Sequence, residues 1–398
     1  MFQRICVRQN DQTFKADIGF IAESLLYYKQ VILIAGQQTL PTLLKHGDIG
    51  IILDLLSSKL LRICVCEDML GVGSQINEAG KTEHVVTKLT SDSLKTEAYL
   101  YETLFRYTGR QGYSRRIVQR ILPFVESISF NKEIGDMVRG DLSENTYTKS
   151  AICDMIKYYS PDYDITPNQF EYSYTPTGNE NWFGGKTFLF DSNLDFDKIN
   201  KAIQNNPDGK IISPTGVMLN ILETRGDMHI ASLLNAEIAT SAVHTSLMKL
   251  KFKEIYTKTK KSQNEIFQFN EFTLDNGNAI AEILNEGSRD FKDFIKILDK
   301  AEKFKNWLTS IQDDKSIIKE YHKAVASDTW IDKLPHKIAR WSFFTGTGLE
   351  LDLVLNNHIA TILGVAISFG DAFLIDKIAK GWRPNIFVEQ QLKPFVKH

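Results

Sequence analysis

Three carboxylates follow predicted strands near the N-terminus. Asp11 comes shortly after the first strand, and Glu67 and Asp68 come directly after the third. If these strands are parallel, their carboxyl ends meet at one edge of a sheet, where open α/β sheets bind ligands. Carboxylates that converge there could hold Mg²⁺ or act as general acid and base, so one alternative is a metal-dependent hydrolase or nuclease. The other alternative is structural, since polar residues also end strands and cap helices.

Glycine and amide residues follow the second and third predicted strands. The candidate ligand-binding residues are Gly36, Gln37, Gln38, Gly71, Gly73 and Ser74. The last three are predicted to form a turn, in which glycines would let the backbone approach a phosphate. The main hypothesis is therefore a cytoplasmic ligand-binding or regulatory protein with a small phosphorylated or nucleotide-like ligand at this edge. Neither Gly-x-Gly-x-x-Gly nor a P-loop Gly-Lys-Ser is present, so the cofactor is unknown.

A run of arginines without an intervening acid predicts a basic surface. Its members are Arg106, Arg110, Arg115, Arg116 and Arg120, with Tyr107 and Tyr113 between them. Arginines clamp phosphates and tyrosines stack on bases, so nucleic acid is a candidate partner at this local patch. Lys249–Lys261 would extend the patch if the two segments adjoin. The alternative is an ordinary solvated helical face with carboxylates supplied from elsewhere.

Other chemistry has little support in the sequence. The eight histidines show no His-x-His or His-Glu-x-x-His spacing, and no serine lies in a Gly-x-Ser-x-Gly elbow. Thr345–Gly348 precedes an apolar stretch and favours a helix cap over an anion site. These patterns assign no metal ligands and leave open whether the protein is an enzyme.

Alternating strands and helices near the N-terminus predict a Rossmann-like parallel βαβαβ unit. The predicted elements are strand Arg4–Arg8, helix Asp17–Tyr28 with Asp17 as N-cap, strand Gln30–Ala35, a helical region from Thr39 to Leu60, and strand Leu61–Cys66. Residues 71–91 are predicted to be a polar loop.

The fold class is therefore α/β plus mainly α, in three parts. The predicted parts are a Rossmann-like unit (1–90), a helical region (91–213) with a small aromatic-rich, Pro/Gly-rich insertion at about 160–190, and a helical domain (214–398) built on the apolar helix 347–378. Within the insertion, Thr187–Phe190 could be a strand that returns to the N-terminal sheet.

The apolar helix 347–378 has three possible uses. From Ile359 to Ile375 its only charged residue is Asp371, and small residues recur every four positions at Ala360, Gly364, Ser368 and Ala372. Such a stripe allows close helix packing in a core, in a homo-oligomer or against a protein partner, and also in membranes. Asp371 disfavours a span, which needs about 20 apolar residues. A membrane-targeting effector is the third functional alternative.

Composition bounds the class of protein. The chain has 398 residues, 43% hydrophobic and 24% charged, with a net charge of −2, which suits a globular protein and gives no global attraction to nucleic acid or anionic lipid. Four cysteines, three of them in predicted strands, favour buried thiols in the cytoplasm. The abundance of Lys, Asn and Ile is compatible with an AT-rich microbial genome.

Overall fold

A computed structural model describes residues 3–8, 17–180, 185–203, 211–258, 269–273, 279–302, 305–306 and 340–344. Its strands are β1 Arg4–Arg8, β2 Gln30–Ile34, β3 Leu61–Cys66, β4 Asp68–Ile76, β5 Thr82–Thr90, β6 Val125–Ile128, β7 Tyr172–Glu180, β8 Lys186–Ser192, β9 Glu237–Ala239, β10 Phe269–Thr273 and β11 Arg340–Phe344. Its helices are α1 Ile18–Tyr27, α2 Thr39–His46, α3 Ile49–Ser57, α4 Thr96–Thr108, α5 Gln111–Ile121, α6 Ile134–Ser143, α7 Asn145–Tyr159, α8 Phe196–Ile203, α9 Pro214–Leu233, α10 Ala242–Lys258, α11 Ala279–Asn285 and α12 Phe291–Leu298.

A seven-stranded sheet runs in the order β10-β11-β9-β1-β2-β3-β6. The five strands from β9 to β6 are parallel, and β11 and β10 continue the sheet antiparallel. Four of the parallel strands, β1, β2, β3 and β9, are short and mostly buried on both faces, as expected for strands covered by crossover helices, whereas the edge strand β6 exposes Glu126 and Ser127. The predicted α/β class with a parallel sheet is confirmed, and the sheet is consistent with the predicted Rossmann-like unit. Asp17 also caps α1 as predicted, because its Oδ1 accepts a 2.8 Å hydrogen bond from the N–H of Phe20.

Alternation along the strands divides the core into two layers. Ile5 and Val7 of β1 point to one face, where they pack with residues of α1 to α5, α11 and α12. Cys6 points to the other face, where it packs with residues of α6, α7, α9, α10 and the second sheet. Each face of the parallel sheet therefore has its own hydrophobic core.

Helix α9 is the longest described helix, and more than half of its residues are buried. Ser213 caps it by accepting a 3.1 Å hydrogen bond from the N–H of Gly216, and Pro214 occupies its first turn. Its middle approaches β4 so closely that a Cβ added at Gly226 would lie 2.5 Å from Cδ1 of Leu70. This glycine lets α9 pack between the parallel sheet and the second sheet.

The second sheet is antiparallel, with the order β4-β5-β8-β7. The prediction of a polar loop at 71–91 is wrong, because β4 and β5 form a hairpin whose turn places Gly80 at φ +74°. The predicted strand at 187–190 exists as part of β8, but it pairs with β5 and β7 and does not return to the N-terminal sheet. Glu83 and His84 of β5 are polar but buried, so the sequence there does not show the alternation of apolar and polar residues that predicts a strand.

Strands from all three predicted parts of the chain share these sheets. β6 and β9, from 91–213 and 214–398, flank the N-terminal strands, so the region after Pro214 is not only helical. The apolar segment 347–378 and Thr345–Gly348 lie outside the described residues. Within the described part of the chain, no helix is both long and apolar enough to cross a membrane.

Candidate functional site

The strand order of the parallel sheet contains one reversal. From β1 the chain proceeds outward through β2 and β3, whereas β9, which comes much later in the sequence, lies on the opposite side of β1. In open parallel sheets, ligands bind beyond the carboxyl ends of the strands at such a reversal. Here that position lies beyond Arg8 of β1 and Ala239 of β9.

Arg8 ends β1 and, like Cys6 two residues earlier, points to the α9 face of the sheet. Its Nη1 donates a 2.6 Å hydrogen bond to Oδ1 of Asp227, and its Nη2 lies 2.5 Å from Oε2 of Glu223. The guanidinium also lies 5.4 Å from the ring centroid of Phe130. Two α9 carboxylates and an aromatic face therefore hold the arginine in place.

Asp227 also binds the start of α10. Its Oδ2 lies 3.0 Å from Nδ1 of His244 and accepts a 2.6 Å hydrogen bond from the hydroxyl of Thr240. Ser241, between them, accepts a 3.1 Å hydrogen bond from the backbone N–H of His244 and so caps the helix. The carboxylate thereby fixes the imidazole through Nδ1 and leaves Nε2 for other contacts, the arrangement by which a carboxylate orients a catalytic or ligand-binding histidine.

Ion pairs and hydrogen bonds keep Asp227 and Arg8 ionised although both are largely buried. Burial alone would raise the pKa of Asp227, but the Arg8 guanidinium and the hydrogen bonds from His244 and Thr240 hold it below the ordinary value. Burial works against the cationic form of Arg8, yet Glu223 and Asp227 raise its pKa. With two carboxylates around one guanidinium, the cluster has no surplus positive charge when His244 is neutral.

The structure places part of the predicted ligand site at this same edge. Gly36 lies two residues after Ile34, the end of β2, which pairs with Arg8, and its N–H donates a 2.9 Å hydrogen bond to Oγ1 of Thr39. Gln37 and Gln38 follow with exposed side chains. Two exposed carboxamides therefore lie beyond the strand next to β1.

The predicted catalytic carboxylates Glu67 and Asp68 accept hydrogen bonds from different elements. Oε1 of Glu67 accepts hydrogen bonds from the N–H (3.0 Å) and hydroxyl (2.8 Å) of Thr96 and from the Ser127 hydroxyl (2.9 Å), which lowers its pKa. Oδ2 of Asp68 instead accepts from Nζ of Lys88 (3.1 Å) and the N–H of Phe130 (2.9 Å). Asp11 lies outside the described residues. Among those described, no three His, Cys, Asp or Glu side chains form a group suited to a metal ion.

The predicted turn at Gly71, Gly73 and Ser74 is not a turn, since all three lie in the extended strand β4. A Cβ at Gly73 would lie 3.0 Å from Cγ1 of Val85 on β5, so this glycine serves cross-strand packing. The Ser74 hydroxyl lies 2.8 Å from Nδ1 of His84, also on β5. These residues belong to the second sheet and not to the end of β3.

The predicted phosphate-binding arginines lie on and between α4 and α5, and all are exposed: Arg106, Arg110, Arg115, Arg116 and Arg120. The described part of the lysine-rich segment, which belongs to α10, does not extend their surface. Helices α4 and α5 cover one face of the parallel sheet, whereas α10 covers the other. Lys251 of α10 is moreover buried, 2.5 Å from both Asp141 and Glu254.

The sequence patterns did not indicate Arg8, Asp227, Thr240 and His244. The available signals were an arginine that follows the apolar run Ile5–Val7 and an aspartate inside a helix that is largely buried. Burying a charged arginine or aspartate without a partner costs free energy, so each of the two residues implies an oppositely charged partner, but neither identifies that partner.

No family model matches this chain, and neither the curated proteins nor the solved structures include one that is significantly similar to it.

Proposed function

We propose that the protein is a ligand-binding or regulatory protein that takes a small nucleotide-like ligand at the carboxyl edge of its parallel sheet, beyond β9, β1 and β2. The observation that supports this most directly is the position of Arg8. It ends the strand at the reversal of the sheet, where two carboxylates fix its guanidinium. The exposed Gln37 and Gln38 follow the neighbouring strand β2 at the same edge.

The net charge of Arg8, Glu223 and Asp227 limits the classes of ligand that this edge could bind. Because Glu223 and Asp227 already neutralise Arg8, a highly charged polyphosphate would gain little from net attraction. The Nε–H of Arg8 has no acceptor among the described residues, and the glutamine amides offer both donors and acceptors. Ribose hydroxyls, a base edge and a single phosphate match these groups better. A nucleoside monophosphate is therefore the ligand class that we favour.

The Asp227–His244 pair supports a second candidate, an enzyme in which His244 acts as general acid or base on the bound ligand. Its carboxylate-to-Nδ1 contact of 3.0 Å is the supporting observation. A hydrolase or nuclease built on Asp11, Glu67 and Asp68 has less support, because Glu67 and Asp68 bind different elements. His244→Gln would abolish turnover of the nucleotide in the enzyme, whereas a binding protein shows no turnover to lose.

Isothermal titration with AMP and ADP tests the proposed function. We expect AMP to bind with 1:1 stoichiometry, ADP to bind no more tightly, and affinity to change little with salt. Gln37→Ala/Gln38→Ala should weaken AMP binding by about tenfold, the effect of one or two lost hydrogen bonds. Gln3→Ala, which removes an exposed amide next to the amino end of β1, is the matched control. An equal loss in both variants, or no binding of either nucleotide, would refute the proposal.

Several finer expectations remain proposals. They are the three-part division of the chain, the aromatic-rich insertion at 160–190, a cytoplasmic location, and a protein partner or homo-oligomer contact through helix 347–378. The membrane-targeting alternative depends on that same helix, which lies outside the described residues.

A further inference from the structure

Helix α5 divides sharply into a buried and an exposed half. Ser114, Ile117, Val118 and Ile121 are buried against the core on the α1 face of the parallel sheet. The remaining positions are exposed, and none is acidic: Gln111, Gly112, Tyr113, Arg115, Arg116, Gln119 and Arg120. Arg110, directly before the helix, is exposed as well. The outward half of α5 is thus a purely cationic and polar surface, which we call the α5 face.

The cations of the α5 face differ from some other surface cations of the protein. Exposed Lys95 and Lys296, for example, each have a carboxylate partner, in Lys95–Asp92 (2.8 Å) and Lys296–Asp293 (2.8 Å). By contrast, no carboxylate in the described part of the chain pairs with Arg110, Arg115, Arg116 or Arg120. Arg106 is set apart from this face because it lies on α4, one turn after Glu102.

The order of charges along α5 does not favour the helix itself. Arg110 is the N-cap residue and makes no side-chain cap, and the first turn contains no acid. Positive charge near a helix N-terminus opposes the helix dipole, so Arg110 weakens the start of the helix, and of the four arginines only Arg120 lies in the last turn, where a cation favours the helix. The dipole therefore does not explain the four arginines together, and a contact outside the chain explains them better.

Aromatic rings accompany the arginines. Tyr113 is 45% exposed on the α5 face, and Tyr107 is 47% exposed near the end of α4. The guanidinium of Arg115 lies 5.7 Å from the ring centroid of Tyr101, which fixes its plane. Exposed rings and oriented guanidinium planes are the surfaces on which unpaired bases stack.

We propose that the α5 face binds single-stranded nucleic acid, with Arg110, Arg115, Arg116 and Arg120 on phosphates and Tyr113 stacked on a base. Single strands fit better than a duplex, because a duplex hides the faces of its bases from Tyr113. The net charge of −2 gives no general attraction to polyanions, so binding must be local to this face. This inference does not depend on a nucleotide at the carboxyl edge of the sheet.

Fluorescence anisotropy with labelled 15-mer oligo-U and oligo-dT tests the proposal. Three or four phosphate contacts predict a slope of log K against log salt of roughly −2 to −3. Arg115→Glu/Arg116→Glu/Arg120→Glu should abolish binding. The control Lys132→Glu/Lys157→Glu/Lys198→Glu changes the net charge equally at exposed sites elsewhere and should retain it. Circular dichroism verifies that both variants fold.

A second pair of variants separates stacking from charge. Tyr113→Ala should weaken binding about fivefold or more, whereas Tyr158→Ala, which removes another tyrosine of 45% exposure, should have no effect. The proposal fails if both triple variants lose binding equally, if a duplex of the same length binds as tightly, or if anionic phosphatidylserine vesicles bind and the oligonucleotides do not.

Discussion

His244 Nδ1 lies 3.0 Å from Oδ2 of Asp227, and the other oxygen of the same carboxylate lies 2.6 Å from Nη1 of Arg8. One side chain of α9 thus links the start of α10 to the end of β1. The side chains of His244 and Asp227 are only 1% and 2% exposed. The proposed ligand edge is held in place by a buried ionic contact, so its geometry depends on Asp227.

Asp227→Asn is expected to destabilise the fold. Removing one partner of a buried ion pair typically costs about 3–5 kcal/mol, and the lower end applies here because Glu223 still faces Arg8. Urea denaturation followed by circular dichroism measures the change. Asp92→Asn, which removes an exposed partner of Lys95, should change the midpoint little. Equal effects of the two substitutions would contradict the assigned role of Asp227.

Stability should fall in acid because the pKa values of Asp227 and Asp141 are lowered in the folded protein. Burial opposes ionisation of both, but Arg8 and His244 outweigh it for Asp227, and Arg225 and Lys251 outweigh it for Asp141. Groups with a lowered folded pKa stabilise the fold above the ordinary aspartate value, about 3.9, and this stability is lost as pH falls through the folded pKa. Urea midpoints between pH 7 and pH 3 should therefore decrease, and less steeply for Asp227→Asn. A flat profile for the wild-type chain would show that these carboxylates are not ion-paired.

Gly226→Ala should be destabilising, while Gly140→Ala should not. The added methyl at 226 meets Cδ1 of Leu70 at 2.5 Å and Cε1 of Phe130 at 3.0 Å, so these buried side chains must be displaced, at about 1–3 kcal/mol. At Gly140 in α6 nothing lies within 4 Å, and alanine favours the helix by roughly 0.5–1 kcal/mol. Thermal denaturation distinguishes the two. If Gly226→Ala were neutral, α9 would not pack on β4 as described.

The buried cluster of Asp141, Arg225 and Lys251 should respond unequally to substitution. Asp141 faces both cations, so Asp141→Asn leaves two buried positive charges without their shared partner. Lys251→Met removes one cation and leaves the Asp141–Arg225 pair intact. We expect Asp141→Asn to lower the unfolding free energy by at least about 2 kcal/mol more than Lys251→Met. The reverse order would show that Lys251, through Glu254, is the dominant partner.

The parts of the fold that local pattern determines were predictable. β1 and β3 have the predicted bounds, and Asp17 caps α1, because continuous apolar runs and a capping aspartate act within a few residues. From the sequence, 114–127 and 228–256 would each be one helix, but the first contains most of α5 and part of β6, and the second contains the end of α9, β9 and most of α10. Both strands have four residues or fewer and form only by pairing with distant strands.

The candidate site was only partly predictable. The carboxyl edge followed from the strand pattern, and with it Gly36, Gln37 and Gln38. The contact of Arg8 with Asp227 joins residues 219 positions apart, and no local pattern indicates which buried acid meets which buried base. Asp68 is the opposite case. Its position after a strand suggested a catalytic carboxylate, whereas its Oδ2 accepts hydrogen bonds from Lys88 and Phe130 that join parts of the fold.

Hydrogen–deuterium exchange of the full chain with and without AMP is the most direct test of a nucleotide site at the carboxyl edge of the sheet. We expect slower exchange in peptides that cover residues 35–42 and 240–246, which lie beyond β2 and β9, and no change in those that cover α4 and α5. Slower exchange confined to residues 96–121, or no difference anywhere at saturating AMP, would contradict a nucleotide site at the carboxyl edge of the sheet.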